Sequence, residues 1–215
     1  MGQVSSSALN QAETVAKDAV QLFQDVGAAR HRAFRLRLQT PEMDTNVRRL
    51  IPVEEEMETT LYELVLVSDT AEVEPEVKEI CSKYADEELF LPAISAVVSK
   101  DFFDLMNKPP GSAQVDNTLL TVGPVLGGLF RIDYLIYRYK PESMELNNQV
   151  GNMVFVIAVV HAVDSRKLQR EQALHAVQAI YGEVADPGGK AKLLDIAATV
   201  ERQQYNVNVD MSNTA

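Results

Sequence analysis

The chain has 215 residues, 46% of them apolar, and its 31 acidic against 20 basic side chains give a net charge of -11. That length and apolar content suffice for one domain with a full core. The acidic balance excludes nonspecific nucleic-acid binding, which needs a basic footprint to displace counterions, and the lone Cys81 excludes an internal disulfide or a thiolate zinc cluster.

The first ten residues read MGQVSSSALN. With Met1 removed, Gly2 offers a free amine, and Ser6 stands where the N-myristoylation pattern M-G-x-x-x-[ST] requires a hydroxyl. No apolar signal-peptide core follows Met1. Residues 1–7 are therefore expected to form a flexible anchor segment, residues 8–203 one globular domain, and residues 204–215 a tail or edge strand.

Along residues 8–27, Leu9, Ala12, Ala16, Ala19, Phe23 and Val26 recur at three- and four-residue steps. The pattern predicts an amphipathic helix that stops at Gly27. Phe34, Leu36 and Leu38 then alternate with Arg35 and Arg37, the period of a half-buried strand that Pro41 ends. Glu54, Glu55 and Glu56 suit a first helical turn, but YELVLV at 62–67 is rich in strand formers and places a strand near 60–68.

A helical insertion follows near 75–107. Val77, Ile80, Cys81 and Tyr84 line one helix, and Ile94, Val97, Val98, Phe102, Leu105 and Met106 line a second that Pro92 starts. MNKPPGSAQVDN, 106–117, reads as a loop. In LFRIDYLIYRYK, Phe130, Ile132, Tyr134 and Ile136 share one parity and Arg131 and Asp133 the other, which predicts a strand. VFVIAVV, 154–160, is β-branched throughout, as in a strand covered on both faces, and the connector between the two runs reads as a long hairpin. Two helices close the pattern, 165–184 and 190–204, followed by a tail in which Tyr205, Val207, Val209 and Met211 alternate with polar residues.

The fold class expected is α+β: an antiparallel sheet with an N-terminal helix, a helical insertion and a C-terminal helical pair. The alternative is an all-α bundle, which requires both 129–139 and 151–163 to be helical. No run reaches the roughly 20 apolar residues that span a bilayer as a helix.

No catalytic constellation emerges. GPVLGG and GGKAK lack the spacing of phosphate-binding loops. His161 and His175 lack the spacing and acidic partner of a helical zinc site, so neither a metal nor another cofactor is expected. Cys81 falls on an apolar helix face, where a thiol is inert.

A single myristoyl chain binds membranes only marginally, and the second signal expected is Arg30, Arg32, Arg35, Arg37, Arg48 and Arg49 at an anionic surface. The competing fate of these arginines is pairing with the acidic run between Glu54 and Glu88. The function expected is thus a non-enzymatic, cytoplasmic, peripheral membrane adaptor or structural protein, with the 204–215 tail as a protein contact. Two alternatives stand beside it: a soluble enzyme or small-molecule binder with a pocket between sheet and helices, and a membrane-perforating protein using the 129–163 hairpin.

Overall fold

The computed structural model describes residues 6–40, 46–67, 91–122, 129–164 and 166–182. Gly2, Cys81, the helix expected over 77–84, the GPVLGG segment at 123–128, the second helix expected in the C-terminal pair and the 204–215 segment lie outside the described residues.

The fold is α+β. Its helices are α1 (Ser6–Leu38), α2 (Asn46–Leu50), α3 (Leu91–Met106), α4 (Met144–Val150) and α5 (Arg170–Tyr181). The strands are β1 (Val53–Val67), β2 (Gly111–Val122), β3 (Leu129–Lys140) and β4 (Asn152–Val163), in the order β1-β4-β3-β2 with every neighbour antiparallel. The all-α alternative fails because 129–140 and 152–163 are paired strands.

Strand β4 organises the layers. Every residue from Met153 to His161 is buried, so neither face of the strand is left to water. On one face Phe155, Ile157 and Val159 pack with Leu135 and Tyr137 of β3 under Phe23 and Phe34 of α1. On the other, Val154, Val156 and Val160 pack with Ile132 and Ile136 against Val98, Phe102 and Leu105 of α3 and Val177 of α5. The sheet is therefore the middle of three layers.

Helix α1 corrects two expectations. It does not stop at Gly27, and the strand expected over 34–38 is its last turns. A strand would put Phe34 and Leu36 on the same face, whereas Phe34 is 1% exposed and Leu36 64% exposed. Phe23, Gly27, Arg30 and Phe34 instead follow helical spacing along the sheet. Gly27 is tolerated in mid-helix because the backbone comes down on the Phe155 ring, where an added Cβ would lie 3.2 Å from two ring carbons.

The loop expected over 106–117 ends earlier, since β2 starts at Gly111, whose φ of 112° suits glycine. The polar residues that disguised β2 are spent on internal contacts, such as the hydrogen bond from Asn117 Nδ2 to Asp101 Oδ2 (2.9 Å). Strand β1 is longer than 60–68 and runs through Glu54, Glu55 and Glu56, excluding the helical turn. The 140–152 connector does join antiparallel strands, but it carries α4, capped by Ser143, whose Oγ accepts from Leu146 N.

Two charged side chains fasten the ends of α3 and β4. Arg138, buried on β3, donates from Nε to Leu105 O (3.2 Å) and from Nη2 to Lys108 O (2.7 Å) and Pro109 O (3.1 Å), covering carbonyls at the end of α3. Burial lowers its pKa from the ordinary arginine value. Asp164, 1% exposed at the end of β4, accepts from Lys167 Nζ (2.8 Å) and Arg166 Nε (3.1 Å). The hydrogen bond from Lys167 is the main reason its carboxyl falls from 3.8 to about 2; burial opposes this and Arg166 adds to it.

Two outcomes follow from these contacts. Gly27→Val forces a branched side chain into the Phe155 ring and lowers the unfolding free energy by about 1–3 kcal/mol, read from urea unfolding. Because the folded-state pKa of Asp164 is depressed, its contribution is present above the ordinary value and is lost as pH falls from 3.8 through about 2. In Asp164→Asn, the loss of stability across that acid window becomes shallower than in the unmodified chain, read as the urea midpoint against pH.

Candidate functional site

The charged residues converge where β2, β3 and β4 meet the short helix α2. Residues 46–50 form just over one helical turn, enough to aim one side chain, Arg48, at the sheet. Ile51, 0% exposed, anchors the turn in the core. Across the register, Thr118 of β2 is paired with Asp133 of β3, and Asp133 with Val159 of β4. Arg131 is paired with His161, so Thr118, Arg131, Asp133 and His161 all point to the α1 side of the sheet.

Asp133 is the hub. Its carboxylate is 0% exposed and accepts on Oδ1 from Arg48 Nε (2.8 Å) and Thr118 Oγ1 (2.7 Å), and on Oδ2 from Arg131 Nε (2.8 Å). His161 Nε2 lies 3.4 Å from the same Oδ2. Arg131 also donates from Nη1 to Ile51 O (3.1 Å), and Arg48 from Nη2 to Asn117 O (3.2 Å) and to Asp116. Burial alone would lower the Arg48 pKa, but Asp133 and Asp116 outweigh it and hold the guanidinium above its ordinary value. Counted as charges, three guanidiniums (Arg37, Arg48, Arg131) face two carboxylates (Asp116, Asp133).

Chemically this is a fastening. Asp133 is fully buried and held by three donors on its two oxygens, which makes it an anchor for α2 and the strands. Among the described residues, no group of three histidine, cysteine or acidic side chains is placed to hold a metal ion.

The six arginines expected at a membrane surface do not share one environment. Arg48 is buried with a fully covered side chain, so the surface role expected of it is corrected: it belongs to the core, because Asp133 and Asp116 compensate its charge there. Arg37, 30% exposed, pairs with Asp116. Arg30 lies with its guanidinium 4.1 Å from the centre of the Tyr137 ring and donates to Gln114 Oε1. Arg35 is half-buried, and Arg32 and Arg49 are exposed. The partners that Arg37 and Arg48 take are Asp116 and Asp133, outside the acidic run between Glu54 and Glu88.

Arg30 and Arg37 rim a groove of about 340 Å³ between α1 and the sheet, floored by Phe34 and Leu135 and bordered by Leu36 and Gln114. A second open groove, about 400 Å³, lies between α1 and α4, against Val20, Gln24 and Val150. Both border α1; the second helix of the pair beside which a pocket was expected lies outside the described residues. The 129–163 hairpin is enclosed between β1 and β2 as the centre of the sheet. His175 is exposed on α5, apart from the buried His161. Ser6 is the first residue of α1.

Asp133, Asp116 and Thr118 are site residues that sequence reasoning misses, although Arg131 and Asp133, two positions apart on one face of β3 among apolar neighbours, are a signal of a buried ion pair. No protein family, curated protein or solved structure matches this chain.

Removing the hub leaves two buried guanidiniums without their shared counter-charge. Asp133→Ala therefore costs about 3–5 kcal/mol of unfolding free energy in urea, while Asp104→Ala, on the exposed side of α3, changes it by less than about 0.5 kcal/mol.

Proposed function

We propose that this protein is a non-enzymatic adaptor or structural component, held at the cytosolic face of a membrane by an acyl chain on Gly2. The observation that supports the reading is how α1 connects the acylation pattern to the body of the fold. The first described side chain of α1 that packs on the inner cluster is Ala16, and Glu13, Thr14 and Val15 before it are exposed. The helix continues N-terminally from Ala16 to Ser6, a further ten residues or about 15 Å, toward the Met-Gly motif.

The electrostatic assistance is smaller than the sequence implied. Arg48 is withdrawn into the core, and Arg30 and Arg37 are engaged with Gln114 and Asp116, while Arg32 is exposed. At about 1 kcal/mol near an anionic surface, this arginine strengthens attachment roughly fivefold over the marginal binding of one myristoyl chain. Among the described residues, no helix is long and apolar enough to cross a membrane. Peripheral attachment is the contact this reading requires.

The expected result is that the chain from its native host carries the mass of one myristoyl group after loss of Met1 and fractionates with membranes, and that Gly2→Ala removes both. Arg32→Glu then keeps the lipid but releases part of the protein at moderate salt. An unmodified, fully soluble chain would refute the reading.

A further inference from the structure

Helix α1 has two apolar faces, and the fold uses one. The inner face carries Phe23, Gly27 and Phe34 onto the sheet. On the other side, Val15, Leu22, Ala29 and Leu36 recur every seven residues; Val15 is 50%, Leu22 65% and Leu36 64% exposed, and Ala29 is exposed with them. Ala19, Val26 and Ala33 fall between them, Val26 at the border where it also touches the inner cluster, so the apolar residues step by four and three from 15 to 36 without interruption. Three heptads of that spacing form the seam of a coiled coil. The register continues back through the sequence to Ala12 and Ala8.

The size and charge of these residues indicate what covers the seam. We infer that it is the same seam of a second copy of this chain, packed antiparallel. A two-fold axis midway between Val26 and Ala29 sets Leu22 of one copy against Ala33 of the other, Leu36 against Ala19, and Val26 against Ala29. Each layer then joins a larger side chain to an alanine, the alternation that fills a helix interface without voids. A parallel pair would stack Ala19, Ala29 and Ala33 each on itself and leave gaps.

Charge selects the same direction. Asp18 and Asp25 flank the N-terminal half of the seam, and Arg32, at the same heptad position, the C-terminal half. Antiparallel packing puts Asp25 beside Arg32 of the other copy twice over, whereas parallel packing puts the arginine-rich ends together. The pairing stands on the seam alone, whether or not Gly2 is acylated.

The test uses the full chain in sedimentation equilibrium at micromolar concentration. The expected result is a dimer that Leu22→Glu with Leu36→Glu weakens at least about a hundredfold, with far-UV circular dichroism and cooperative unfolding unchanged because both residues are exposed in the monomer. Asp25→Arg weakens the dimer severalfold, and adding Arg32→Asp restores it, a readout that does not depend on the glutamate variants folding. With Cys81 replaced by serine, Ala19→Cys and Leu36→Cys chains cross-link as the mixed pair under mild oxidation. A monomeric chain, a dimer indifferent to the glutamates, or an Ala19→Cys chain that links to itself would each overturn the inference. A monomer that binds anionic phosphatidylserine vesicles, and loses that binding with the same glutamates, would overturn it too and assign the face to lipid.

Discussion

Strand β4 has no face it can give to water, and the rest of the architecture follows from that constraint. A run such as VFVIAVV must be covered on both sides and paired on both edges, which places β1 and β3 beside it and helices above and below. The two helical layers are unequal. One face is closed by α3 and α5, and the other chiefly by a single long helix, so α1 must cover its side with a few large residues. Phe23 and Phe34, eleven positions or three turns apart, do so, with Tyr137 and Phe155 packed around Phe23 at ring-centre distances of 5.7 and 5.4 Å.

Where that cover ends, charge takes over. Beyond Phe34 the sheet face carries Thr118, Arg131, Asp133 and His161, and α2 returns Arg48 to meet them. Hydrophobic residues of equal volume can stabilise such a position as well as an ion pair can, so the value of the cluster lies in direction. A carboxylate that accepts from β2, β3 and α2 at once fixes where α2 stands on the sheet. An apolar contact would allow it to slide.

Legibility in the sequence followed how each residue spends its side chain. Strands β3 and β4 are visible because their apolar and aromatic runs face packed layers, and α3 because its apolar positions keep helical spacing after Pro92. The end of α1 was hidden because arginines alternate with Phe34, Leu36 and Leu38. That alternation is an accident of one residue facing the sheet while another faces away, and the outer heptad repeat that would have exposed it runs through the same positions. Strand β2 was hidden because Asp116 and Asn117 satisfy buried partners and make the segment read as polar. The Asp133 cluster shows the remaining limit: Arg48 and Asp133 lie 85 positions apart, and only the strand order brings them within hydrogen-bonding distance.

The register of the sheet also orders how the chain can find this structure. From α3 through β4 the chain is a succession of neighbours, each strand pairing with the next across one connection, and Arg138 ties the end of α3 to the same local unit. The β1–β4 edge is different, since Val53 must meet Val163 with the whole of that unit between them. Contacts between close segments form at small entropic cost, while closing a long loop is slow. Folding is thus polarised from the β2 edge toward β1, and α2, which carries Arg48, closes over Asp133 only when the strands that hold that carboxylate are in place.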